Sequence, residues 1–182
     1  MKVFPIVIIL LSVGLVPAHA SIDIKESVAF KKPLLVVVVA VDQLRRDRVT
    51  SGFKGGLGKL ISGGLVFSSA QLNHGITNTC PGHAVMLTGV NPGKAGIPGN
   101  DYVDRKAWEN RYCVHDDDPA SLVFGNPNQR SPSALRVTTF GDWLKKSDSE
   151  TRVFAVGGKD RSTITMAGHG ADGVYWYDAS QG

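Results

Sequence analysis

Cysteine is scarce in this chain: two residues, Cys80 and Cys113, in 182. They do not stand in C-x-x-C spacing, which argues against a cysteine-built zinc cluster. In an exported protein the two can pair with each other. Long cationic runs are missing as well. Arg45-Arg46-Asp47-Arg48 is interrupted by an acid, and with a formal net charge of only +4 a nucleic-acid partner is not expected. Beyond the N-terminus no apolar stretch approaches the length needed to cross a bilayer. No internal repeat, low-complexity tract or linker divides the chain, so most of it reads as one domain with one sizeable core. A phosphate-binding P-loop is also missing. Lys59 follows Gly58, but Phe53 occupies the first glycine position and Leu60 replaces the Ser/Thr that would meet magnesium.

What is present starts with Met1-Lys2, an apolar run from Val3 to Val16, and Pro17-Ala18-His19-Ala20. One positive charge, a short apolar core and an Ala-x-Ala ending spell a secretory signal peptide over residues 1–20, cleaved after Ala20. No cysteine lies near that site for lipid attachment. A periplasmic or secreted protein without a stable membrane anchor is expected.

Leu34-Leu35-Val36-Val37-Val38-Val39-Ala40-Val41 lacks polar alternation and reads as a strand buried on both faces, the pattern of a parallel sheet covered by helices. Asp42 stands at its end, where α/β sheets place their ligands. Its alternative role is to cap a helix over Gln43–Val49. A short helix is expected around Leu57–Ile61 and a strand over Leu65–Gln71. Thr79-Cys80-Pro81-Gly82-His83 opens a helix that Gly89 ends. Thr79 then lies beside unpaired N–H groups at the positive end of the dipole, as an N-cap or as a reactive hydroxyl. Asn91–Asp104 is a Gly- and Asn-rich loop carrying Asn100. Tyr112-Cys113-Val114 is a short strand, and His115-Asp116-Asp117-Asp118 a solvated loop. Thr138–Lys146 is a helix with Phe140, Trp143 and Leu144 on one face. Strands follow at Thr151–Val156 and Gly173–Asp178. Between them, an extended Lys159-Asp160-Arg161 would point both cations to one side. The order strand–helix–strand–helix–strand favours a three-layer α/β sandwich with a mostly parallel central sheet.

Val39-Ala40-Val41-Asp42, Thr79-Cys80-Pro81-Gly82-His83, Gly96-Ile97-Pro98-Gly99-Asn100 and Lys159-Asp160-Arg161, in this order, resemble the type I phosphodiesterase/nucleotide pyrophosphatase branch of the alkaline phosphatase superfamily. Most closely they resemble its bacterial threonine-nucleophile alkaline phosphatases. The resemblance implies two zinc ions, Thr79 as a nucleophile that becomes phosphorylated, and Asp42 and Thr79 as metal ligands. It further implies Asn100 as a phosphate-oxygen contact, with Lys159 and Arg161 favouring small-molecule phosphate monoesters over diesters.

One departure accompanies it. The family's Asp-x-x-x-His and Asp-His ligand motifs do not occur: the histidines after residue 20 are His74, His83, His115 and His169, and none follows an Asp by one or four positions. The expectation is therefore that residues 21–182 are the N-terminal part of a larger alkaline phosphatase-like catalytic domain, incomplete in its sheet and metal ligands and inactive alone. The alternatives are a phosphodiesterase or nucleotide pyrophosphatase on the same scaffold, and a non-catalytic fragment or pseudoenzyme.

Overall fold

The computed structural model describes residues 32–50 and 52–179. The signal peptide over residues 1–20 lies outside the described residues. The chain divides into one unit ending at Val39 and another beginning at Ala40.

In the first unit, residues 32–39 form no strand, and Leu34 to Val39 are all exposed. Ala40 and Val41, in the second unit, are not in a strand either. This corrects the expectation for the valine run. A strand is held by the N–H and C=O groups of a neighbour, and no described strand pairs with these residues. The valines are suited to burial on two faces but have neither face covered. The strand expected over Leu65–Gln71 fails for the same reason: the segment forms no strand and turns at Ser68-Ser69, with Leu65, Val66 and Phe67 exposed.

The second unit is organised around a parallel pair, β5 (Phe154–Gly157) and β6 (Gly173–Trp176), joined by helix α5 (Asp160–Ala167). Register runs from Phe154 opposite Gly173 to Gly157 opposite Trp176. Alternation along the strands divides their side chains. Phe154, Val156 and Tyr175 are exposed, whereas Val174 and Trp176 pack on the core. Gly157 lets α5 approach the strand: a β-carbon there would sit 2.8 Å from Thr163 Oγ1.

Helix α2 (Thr79–Thr88) packs on α5, with α3 (Pro92–Ala95) and α4 (Phe140–Ser147) beside it; α1 (Gly55–Gly63) precedes them. Thr139 and Asp142 cap α4 reciprocally, with the Thr139 N–H donating to Asp142 at 2.7 Å. Phe140 and Leu144 are half-buried, but Trp143 is exposed and donates its ring N–H to Thr138 Oγ1 at 2.6 Å, so the apolar face of α4 is narrower than its spacing suggests.

Two hairpins are antiparallel: β1 (Asp101–Asp104) with β2 (Glu109–Tyr112), and β3 (Leu122–Val123) with β4 (Asn126–Gln129). The core consists of Cys80 and Ala84 from α2, Ala95, Ile97, Cys113, Val114, Leu135, and Ile164 from α5. A disulfide joins Cys80 to Cys113 within it. Gly96 ends α3 at φ +88°, and a β-carbon there would run into the Ala134 carbonyl, so two constraints select glycine.

Candidate active site

Local chemistry explains where α2 begins and ends. Pro81 falls in the first turn, where a missing N–H costs nothing. Gly89 closes the helix at φ 68°, ψ 12°, its N–H returning to the Val85 carbonyl. Asn78 occupies the cap position but contributes no side-chain cap bond. The cap comes instead from twenty residues away: the Cys80 N–H donates to Asn100 Oδ1 at 2.8 Å. Because Oδ1 is the acceptor there, the Asn100 side chain keeps its NH2 as a donor. The Asn100 carbonyl accepts from the Cys113 N–H at 2.9 Å, so this residue bridges both half-cystines.

Thr79 is the first helical residue and half-buried, not the cap. No hydrogen bond ties its hydroxyl to another described residue, so the capping alternative does not hold. Its carbonyl accepts from His83 Nδ1 at 2.8 Å. A carbonyl can only accept, so the ring carries a proton on Nδ1. His83 is 5% exposed and thereby helps fix the Thr79 backbone.

Asp42 lies in a turn and caps no helix; the short 3-10 turn that follows, Arg46–Arg48, starts after Arg45. Its carboxylate accepts from Lys159 Nζ at 2.7 Å, with both side chains well exposed. The Lys159 hydrogen bond is the main cause holding the Asp42 carboxyl below the usual range. Partial burial opposes it, and the charges of Lys159 and His83 add to it. Asp42 therefore lies within the electrostatic reach of both α2 and the segment entering α5.

Lys159-Asp160-Arg161 does not meet the condition of a fully extended segment. Lys159 is extended at φ −142°, ψ 137°, but α5 starts at Asp160. The Lys159 carbonyl accepts from the hydroxyls of Ser162 at 2.9 Å and Thr163 at 2.6 Å, which stabilises the helical start. Lys159 and Arg161 nevertheless line one cavity of about 300 Å3, together with Arg130, Asp160 and Trp176. Thr79, Asn100 and Asp42 do not line it. The site residues thus form two groups, Thr79 with Asn100 and Lys159 with Arg161, linked by the packing of α2 on α5 and by the Asp42–Lys159 ion pair.

Three further residues were not apparent as site residues. The Tyr112 hydroxyl donates to Asp160 Oδ1 at 2.6 Å and accepts from Arg161 Nη1 at 3.1 Å. Arg130 Nε donates to Asp160 Oδ2 at 3.0 Å, and its guanidinium carbon stands 5.0 Å from the Tyr112 ring centre. Burial, reinforced by the bond to Asp160, pushes the Tyr112 phenol up to about 12. The available signals were slight: Tyr112 precedes a cysteine, and Asp160 is the middle residue of Lys-x-Arg.

Among the described residues no group of three or more His, Cys, Asp or Glu side chains is placed to hold a metal. Asp42 and Thr79 offer two hard oxygen donors. That chemistry suits zinc as part of a site, which normally takes at least three protein ligands.

The sequence matches the family described as type I phosphodiesterase / nucleotide pyrophosphatase over residues 36–179. It is 38% identical over 163 residues to alkaline phosphatase PhoK of Sphingomonas sp, covering 86% of this chain and 29% of that protein. It is 37% identical over 153 residues to alkaline phosphatase PhoD of Zymomonas mobilis, covering 79% of this chain and 26% of that one. The crystal structure of wild type alkaline phosphatase PafA superposes with a TM-score of 0.55 at 30% identity, over 62% of this chain and 22% of that one. The α/β fold is thus alkaline phosphatase-like over the part superposed, and the chain spans less than a third of the length of these relatives. The match over residues 36–179 shows that the chain belongs to the type I phosphodiesterase/nucleotide pyrophosphatase family.

Proposed function

We propose that these residues belong to a periplasmic or secreted alkaline phosphatase-type hydrolase of small phosphate monoesters, in which Thr79 is the nucleophile. On this reading residues 21–182 form the N-terminal part of the catalytic domain. The observation that carries it is the Thr79 hydroxyl, free of any cap bond at a helix N-terminus whose first turn is held from outside by Asn100.

The Thr79 oxygen forms a bond to phosphorus as the bond to the ester oxygen breaks, releasing the alcohol and leaving phosphothreonine. Water then cleaves that bond, and inorganic phosphate departs. The dipole and N–H groups of α2 favour the negative charge that gathers there. The NH2 of Asn100 supplies a donor to a phosphoryl oxygen, and Lys159 and Arg161 supply cations to the remaining oxygens. A threonine hydroxyl is a weak nucleophile at neutral pH; zinc bound with Asp42 and Thr79 as ligands would ionise it. Completing such a site takes ligands beyond these two.

The family name also covers diesterases. A monoester carries one more negative charge than a diester, and the two cations on one cavity favour the monoester. The test uses the full-length enzyme and a labelled phosphate monoester. Thr79→Ala should abolish the trapped phosphoenzyme and lower turnover by about three or more powers of ten, while Thr79→Ser keeps measurable activity. Near-normal turnover in the alanine variant would remove Thr79 from the mechanism.

A further inference from the structure

We infer that Tyr112, oriented by Asp160, is a positioning residue for the Arg161 guanidinium, fixing its direction while leaving its charge free for a phosphoryl oxygen. This rests on the reading of Arg161 as a substrate cation. Among the described residues Tyr112 supplies the one hydrogen-bond acceptor to the Arg161 side chain, and Arg161 Nε is buried without a partner. A single anchor therefore governs where that guanidinium points.

The direction of each bond follows from what each group can do. A carboxylate only accepts, so the Tyr112 proton lies toward Asp160 Oδ1. The lone pairs of the same oxygen then face Arg161 Nη1, and the hydroxyl relays orientation from Asp160 to Arg161. Asp160 is covalently adjacent to Arg161, yet its carboxylate pairs with Arg130 and Tyr112, and its link to Arg161 is to the backbone N–H at 2.7 Å. Had the carboxylate met the guanidinium directly, it would have cancelled the charge that a phosphate dianion needs. A neutral hydroxyl in between holds the cation without neutralising it. Arg130 absorbs the Asp160 charge and lies over the Tyr112 ring, which keeps the acceptor in place.

The same residue ties the cation to the nucleophile. Tyr112 immediately precedes Cys113, whose disulfide partner Cys80 immediately follows Thr79. The path from Arg161 to Thr79 is thus one hydrogen bond and a covalent bridge.

The experiment measures kcat/KM on a chromogenic monoester and diester for the full-length enzyme, Tyr112→Phe, Arg161→Ala and the double variant. Phenylalanine keeps the ring and removes only the hydroxyl. Tyr112→Phe should lower monoester hydrolysis about three- to thirtyfold, the range of a lost hydrogen bond to a charged group after partial recovery. It should leave the diester within about twofold, and it should add nothing to Arg161→Ala. Should Tyr112→Phe fail to fold, Asp160→Asn is read by the same comparison. Equal losses on both substrates, or a full further loss in the Arg161→Ala background, would make Tyr112 merely structural. A loss in Arg161→Ala without one in Tyr112→Phe overturns this inference alone. Arg161→Ala with no effect on the monoester overturns it together with the role of Arg161.

Discussion

Removing the Cys80–Cys113 disulfide perturbs both the core and the site, and its size can be worked from the fold. The bridge closes a loop of sequence separation 33, and both residues are fully buried. Cross-linking removes loop-closure entropy from the unfolded chain, and for a loop of this length the loss corresponds to about 3.7 kcal/mol at 25 °C. Replacing both residues by alanine also empties sulfur-sized space in a close-packed cluster with Ala84, Ile97, Val114 and Ile164, which adds to the cost. A total near 4 kcal/mol is a large fraction of the 5–15 kcal/mol typical of whole domains. The assay is urea unfolding of the oxidised protein against Cys80→Ala/Cys113→Ala. With a denaturant slope of roughly 2 kcal/mol/M, the midpoint should fall by about 2 M. A fall under about 0.5 M would mean that Asn100 and the surrounding packing hold α2 to β2 without the bridge, and the loop-entropy reasoning would be wrong for this chain.

Two other outcomes follow from charge. Asp116 accepts from the hydroxyls of Ser131 and Ser121 and from the Asp118 N–H, and these bonds, Ser131 first, hold its carboxyl down to about 2. Its folded pKa lies below its unfolded one, so the stabilisation is fully present above about pH 4 and disappears as pH falls through about 2. Asp116→Asn should cost about 1 kcal/mol at pH 7, discounted because the carboxylate stays partly wetted, and nothing near pH 2; a pH-independent cost in chemical unfolding would refute this. For the cavity cations, replacing Lys159 and Arg161 together by alanine should depress monoester turnover in the full-length enzyme about tenfold to hundredfold per lost contact, well beyond the diester loss; equal losses in parallel assays would assign the pair a structural role.

How far the sequence could be read depends on how far apart the interacting residues lie. The limits of α2 were legible because Pro81 and Gly89 act within one turn of their own positions. Strands β5 and β6 were legible from their apolar residues beside Gly157-Gly158 and Gly173, but helix α5 between them was not named. The valine run misled, because Leu34–Val41 states a preference for burial without naming the strand that would pair with it. Lys-x-Arg left the backbone shape open, and the start of α5 is fixed by the Lys159 carbonyl and two hydroxyls within four residues of it. Tyr112 and Asp160 are 48 positions apart, and Arg130 and Asp160 are 30 apart. No local pattern encodes such contacts; they exist only once the hairpin and helix are folded against each other.

The two cations of Lys-x-Arg are spelled alike but differ in their surroundings. Lys159 is paired with a carboxylate, Asp42, and both side chains are open to water, where such a pair contributes little. Arg161 is bonded to a neutral hydroxyl, half-buried, and forms no ion pair among the described residues. Bonding to Tyr112, with the nearby charges of Asp160 and Asp101, strengthens its hold on its proton. An approaching anion therefore meets Arg161 as a charge with no direct ion-pair partner among the described residues and partly withdrawn from water, and Lys159 as one bonded directly to the Asp42 carboxylate. Charge that lacks a direct ion-pair partner and is partly withdrawn from water acts more strongly on a ligand than charge that is paired and solvated. Recruiting Lys159 requires something else to take over the Asp42 carboxylate, whereas recruiting Arg161 requires no rearrangement of Tyr112. The order of cost runs against the order in the chain: the second cation of the motif is the prepared one, and what prepares it is an aromatic residue from another element.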